Sequence, residues 1–125
     1  MPIVNQASTG GLAVVPTFLN RQFLGDITTT SETSIIQVNQ LPNLFFYAIQ
    51  TAGAVPLTIT PQAAIRQSST NEPDFFNLAA PTALPGLNIP LLLNFQFPAE
   101  FIRIQHTHAA GVTHSVRLIW GAYGP

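Results

Sequence analysis

Eleven prolines recur at short intervals from Pro2 to Pro125, and no stretch between them repeats its apolar residues at helical spacing. Proline lacks a backbone donor and fixes φ, so it ends helices and stays out of hydrogen-bonded strand positions. Between the prolines the chain alternates instead, as in TSIIQVN, LFFYAIQ, VPLTIT, LLLNFQF, FIRIQHT and VTHSVRLIWGAY. Short alternating runs bounded by turn residues describe an all-β protein. The expected architecture is an antiparallel, jelly-roll-like β-sandwich of about 7–8 strands. Strands are predicted at Leu12–Leu19, Thr33–Val38, Leu44–Gln50, Pro56–Thr60, Leu91–Phe97, Phe101–Thr107 and Val112–Tyr123.

LFFYAIQ is apolar on both of its faces, the pattern of a strand covered on both sides. Pro16 makes the first strand an edge strand or breaks it. Residues 67–90, QSSTNEPDFFNLAAPTALPGLNIP, alternate little and form a long Pro-rich loop. Within it Glu72-Pro73-Asp74 suits the start of a helical turn, with proline at its first position, and Pro81 would end that turn. Phe75, Phe76 and Leu78 carry too much apolar weight for disorder. They either fold back onto their own core or dock on another subunit. Residues 1–11 lack periodicity and are expected to form an extended N-terminal arm on a single domain spanning residues 12–125.

Charged residues make up only 7% of the chain, against about 25% in ordinary soluble domains. Lysine is absent; the four cations are Arg21, Arg66, Arg103 and Arg117, and the net charge is -1. No basic footprint for nucleic acid or an anionic membrane exists. MPIVNQASTGG has no basic stretch followed by an apolar one, so no signal peptide is expected. Apolar runs such as LFFYAI and IPLLL fall far short of the ~20 residues that span a bilayer. Without cysteine there is no disulfide framework, thiol catalysis or cysteine-ligated zinc. Phosphate-loop and nucleophile-elbow motifs are missing, and the five carboxylates are scattered. A surface this poor in charge suits a protein packed against neighbours, and interfaces favour arginine over lysine.

All three histidines fall in HTHAAGVTH. Alternation puts Ile102, Ile104, His106 and His108 on one face, and Val112, His114, Val116, Leu118 and Trp120 on one face. Ala109-Ala110-Gly111 fits a three-residue hairpin loop with glycine left-handed. That hairpin would set His106 opposite His114, Ile104 opposite Val116 and Ile102 opposite Leu118. His106, His108 and His114 are then either polar residues bordering a turn, or ligands of zinc or another divalent metal, or residues gathered at a symmetry axis. The His-x-His element is similar to strand-borne three-histidine sites of carbonic anhydrases and to cupins. The further glutamate and histidine of the cupin pattern are not evident. Arg103 and Arg117 would lie nearly diagonal on the opposite face, suited to a carboxylate or a partner's surface.

FIRI followed by a small turn and VRLIWGAY resembles the closing hairpin of small β-sandwich virion proteins, the decoration or cement proteins that coat tailed-phage capsids. The likeness covers the last quarter of the chain, together with its lysine-free, Pro- and Thr-rich character. It implies a non-enzymatic subunit, often trimeric, seated on a capsid lattice in the virion after assembly in the host cytoplasm. Its partners would be the major capsid protein, other virion subunits and copies of itself, with no cofactor. No functional residue carries over. Phe75, Phe76, Leu78, Arg103 and Arg117 are the interface candidates. The alternatives are a carbohydrate- or receptor-binding module of a virion, which Tyr47, Tyr123 and Trp120 could serve beside the phenylalanines although Trp120 is expected in the core, and a three-histidine, cupin-like metal protein.

Overall fold

A computed structural model of the chain describes residues 18–65 and 74–124. The expected N-terminal arm at 1–11, most of the predicted first strand, and Glu72 and Pro73 of the predicted turn lie outside the described residues. Ten strands follow in order: β1 (Phe18–Ile27), β2 (Ser31–Glu32), β3 (Ile36–Gln37), β4 (Asn43–Ala52), β5 (Thr58–Ala64), β6 (Phe76–Asn77), β7 (Thr82–Ala83), β8 (Leu91–Gln96), β9 (Phe101–Thr107) and β10 (His114–Tyr123). One sheet has the order β1-β10-β4-β8. The other is centred on β9 and β5, with β2 and β3 both pairing β9, and β6 and β7 both pairing β5. β2 and β3 both lie along β9 with a one-residue shift in register between them, and β6 and β7 both lie along β5 with a two-residue shift, so ten short and long strands stand where about 7–8 are expected. All strand pairs are antiparallel, and the topology is that of a jelly roll.

Alternation fills the space between the sheets. Leu44, Phe46 and Ala48 of β4 and Val116, Leu118, Trp120 and Ala122 of β10 face Ile59, Ala63, Ile102 and Ile104 from the other sheet, all buried. Trp120 Nε1 donates to the Ser34 carbonyl at 3.1 Å, so the largest core side chain also ties one sheet to the other. Gly121 lets β1 approach β10 closely, since a Cβ there would collide with the Leu19 carbonyl oxygen.

Three expectations need correction. First, FIRIQHT and HSVRLIWGAY do not form a hairpin. β10 pairs β1 and β4, while β9 pairs β2, β3 and β5, so residues 108–113 cross from one sheet to the other as an arch. The turn chemistry is as read: Gly111 has φ 79° and Val112 N donates to the Ala109 carbonyl at 3.2 Å. The inward faces were also read correctly, but they meet across the core rather than side by side. Arg103 and Arg117 therefore point outward from opposite sheets and are not diagonal neighbours.

Second, FLNRQFLGDI forms the ten-residue β1, where sequence placed only Phe18 and Leu19 in a strand. As an edge strand it is mostly exposed, and Arg21 at the inward position opposite Trp120 interrupts its alternation. A charge at such a position discourages sheets from pairing edge to edge.

Third, β5 runs through Pro61 to Ala64 instead of stopping at Thr60. Pro61 pairs Ile104 on one side, and on the other it falls where the neighbouring strand is broken between β6 and β7. No ladder bond is lost there. β6 and β7 themselves lie within the predicted 67–90 loop, and Asp74 and Phe75 of the predicted helical turn belong to neither a helix nor a turn.

Candidate functional site

The two sheets differ in what covers their outer faces. On the sheet containing β5 and β9, the edge strand β6 and the residue before it extend side chains across the outward residues of β5 and β9. Arg103 Nε donates to Gln62 Oε1 at 2.7 Å, Gln62 Nε2 donates to Asn77 Oδ1 at 2.9 Å, and the Arg103 guanidinium stands 4.0 Å over the Phe75 ring. Phe76 meets Phe97 edge-on at 5.4 Å, and Leu78 packs against the core. Phe75, Phe76, Leu78 and Arg103 are thus engaged within their own subunit, although Phe76 keeps part of its surface in solvent. β5 ends up buried on both faces.

The β1-β10-β4-β8 sheet has no such cover among the described residues. Its outward rows run Phe18, Tyr123, Asn43, Gln96, then Asn20, Gly121, Phe45, Asn94, then Gln22, Ile119, Tyr47, Leu92. Phe18 stacks on Phe45 at 5.7 Å across the bare Gly121 position, and Phe45 touches Tyr123 at 6.3 Å. Phe18 is 57% exposed, Leu92 55% and Tyr123 41%. Together with Asn20, Tyr47, Asn94 and Ile119 they line a shallow hollow of about 510 Å³ that contains no charged group. Arg117 stands at its margin, bonded to Gln22 Oε1 at 3.3 Å. LFFYAIQ, apolar on both faces, is expected to be covered on both. The second face is the uncovered one, and only long-range strand order could have assembled Phe18, Phe45, Tyr47 and Tyr123 on it.

The histidines gather where the arch closes one end of the sandwich. His114, fully buried, brings Nδ1 to 3.4 Å from Nδ1 of the half-buried His108, with the rings nearly perpendicular. His106 is also buried, and its Nδ1 has no partner, nor has Nε2 of His114. Among the described residues no group of three or more His, Cys, Asp or Glu is arranged to hold a metal ion.

No protein-family profile matches the sequence, and no curated protein matches it. Among solved structures, the SPBc2 prophage-derived protein YomS superposes with a TM-score of 0.50 at 15% identity, covering 89% of this chain and 100% of that one. The chain resembles a prophage protein in fold. A protein of disulfide-linked Bacillus endospore appendages superposes at 0.39 with 15% identity, over 91% of this chain and 98% of that one. A protein of infectious bursal disease virus, Gx strain, does so at 0.40 with 10% identity, over 86% of this chain and 33% of that one.

Burial holds the His106 imidazole below its ordinary pKa, and the nearby His108 and His114 push the same way; Glu32 and the Thr29 backbone oppose them. The folded state therefore prefers His106 neutral. That preference is fully expressed above pH ~6.5 and is lost as pH falls through the lowered folded value. Thermal midpoints should decline between pH 7 and pH 5, before ordinary carboxylates titrate, and His106→Gln should flatten the decline. A slope unchanged in that variant would assign the effect elsewhere.

Proposed function

We propose that this chain is a non-enzymatic structural subunit of a virion, a decoration or cement protein that binds the capsid lattice and copies of itself through the outer face of the β1-β10-β4-β8 sheet. The observation that carries the reading is the uncharged aromatic face formed by Phe18, Phe45, Tyr47, Ile119, Tyr123 and Leu92. Exposed apolar patches of this kind, rimmed by amides, mark interaction sites in soluble proteins. Tyrosine, phenylalanine and arginine are the residues that interfaces concentrate, while lysine is depleted. A fold held in common with a prophage-derived protein accords with the virion setting. Contacts of this composition resist salt, because there are few ion pairs to screen.

The chain should co-sediment with heads of the virus that encodes it, and do so equally in low salt and in about 1 M salt, where screening is nearly complete. Tyr47→Asp or Ile119→Asp should weaken that attachment by at least about tenfold, since each would bury an unpaired charge. Thr28→Asp, exposed and away from the hollow, should not. A folded chain that stays monomeric at high concentration and ignores the capsid would overturn the proposal.

A second reading rests on the same hollow: Tyr47 and Tyr123 beside Asn20 and Asn94 offer ring faces and amides to a sugar. Glycan binding abolished by Tyr47→Ala would favour that module over the lattice subunit.

A further inference from the structure

We propose that His108 and His114 form a two-nitrogen chelate for a borderline transition-metal ion such as zinc, at the end of the sandwich where the arch passes between sheets. The two nitrogens stand at a separation that suits a long hydrogen bond between the rings and equally a shared ion. Two ligands of a tetrahedral ion with bonds of about 2.0–2.1 Å lie about 3.3–3.4 Å apart. The two Nδ1 atoms stand 3.4 Å apart, at the separation of the chelate.

The pair is also held in place without the ion. His114 begins β10 between Ile27 of β1 and the end of β4, fully enclosed. His108 is fixed through its backbone N–H, which donates to Thr30 Oγ1 at 2.8 Å, and by the Ala109–Val112 turn beyond it. Binding an ion there requires little ordering of side chains, and the part-exposed His108 leaves a side open to solvent.

Two imidazoles without thiolate suit zinc, nickel or copper, not magnesium or calcium, which want oxygen ligands. Among the described residues no third His, Cys, Asp or Glu completes the set, so a bound ion would take its remaining ligands from water. His106, which sequence spacing grouped with the other two, is left out of the chelate.

The test uses the untagged full chain, because a histidine tag would bind the same ions. Zinc chloride titrated in a calorimeter should show one site per chain and should raise the thermal midpoint. His108→Ala should still melt cooperatively, bind zinc at least about tenfold more weakly, and lose the rise in midpoint. Copper(II) bound to the wild-type chain should give a paramagnetic resonance spectrum with two imidazole nitrogens, and one in His108→Ala. His114→Ala is a poorer probe because its side chain is part of the buried structure. Zinc affinity equal in wild type and His108→Ala, or a one-nitrogen copper spectrum in wild type, would sink the proposal.

Discussion

Trp120→Ala should cost about 3–5 kcal/mol of folding stability, the range for emptying a fully buried aromatic site. Domains of this size are stable by only about 5–15 kcal/mol, so a large share of the total would go. The thermal midpoint should fall by roughly 10–25 °C. Two effects combine at this position. Trp120 is buried beside Phe46, its partner on β4, so truncation leaves a cavity that two sheets cannot close without sliding. It also strands the Ser34 carbonyl, which accepts the indole N–H from across the core. Trp120→Phe separates them, since it keeps most of the volume and removes only the donor. That variant should cost clearly less than alanine, with the remainder measuring the bond between sheets. Urea denaturation monitored by circular dichroism reads all three chains. A loss below about 1 kcal/mol for alanine would mean that the site collapses around the deletion, contrary to a close-packed interior.

Alternation told the faces of the strands and not their partners, and the successes and failures of sequence reading divide along that line. LLLNFQF, FIRIQHT and VTHSVRLIWGAY lie within two residues of their expected bounds, and the last two turn the expected side inward. The partner of β10 could not be read locally. A turn with a left-handed Gly111 serves a hairpin and an arch equally well, and the choice is made by β1 and β4, both far away in sequence, pairing the two edges of β10. β1 escaped notice because an edge strand need not alternate. Asn20, Arg21 and Gln22 interrupt its apolar pattern where solvent reaches both sides. The histidines were grouped for the wrong geometric reason, as cross-strand neighbours. His108 and His114 nevertheless meet, because an arch also brings its two ends together. The aromatic face was visible only as an excess of apolar residues in LFFYAIQ. That excess is what a strand shows when its second face is apolar and the described residues of its own chain leave it uncovered.

Gln50→Leu should destabilise the fold by about 2–4 kcal/mol even though it places an apolar side chain in a buried position. Burying a carboxamide is costly unless its bonds are made, and at Gln50 they are. Oε1 accepts the buried Leu57 N–H at 2.8 Å, while Nε2 donates among the carbonyls of Val55 at 3.1 Å, Ala52 at 3.2 Å and Gly53 at 3.5 Å. One side chain thus satisfies the backbone of the whole turn from β4 into β5. Its own carbonyl takes the Asn88 N–H at 2.7 Å, tying in the segment before β8. Leucine would leave the Leu57 donor unpaired in the interior, the costly kind of loss. Gln50→Glu supplies the sharper test, because it keeps the acceptor for Leu57 and removes the donor. A carboxylate there would face three carbonyl oxygens, which favour its protonated form and raise its pKa above the usual range. With the folded pKa raised, the variant should gain stability relative to wild type as pH falls from 7 toward 5. That trend is opposite in sign to the one His106 imposes on the wild-type chain. If Gln50→Glu instead weakens further on acidification, the amide is not reading those carbonyls, and the order of the β4–β5 turn must come from Gly53 and Pro56 alone.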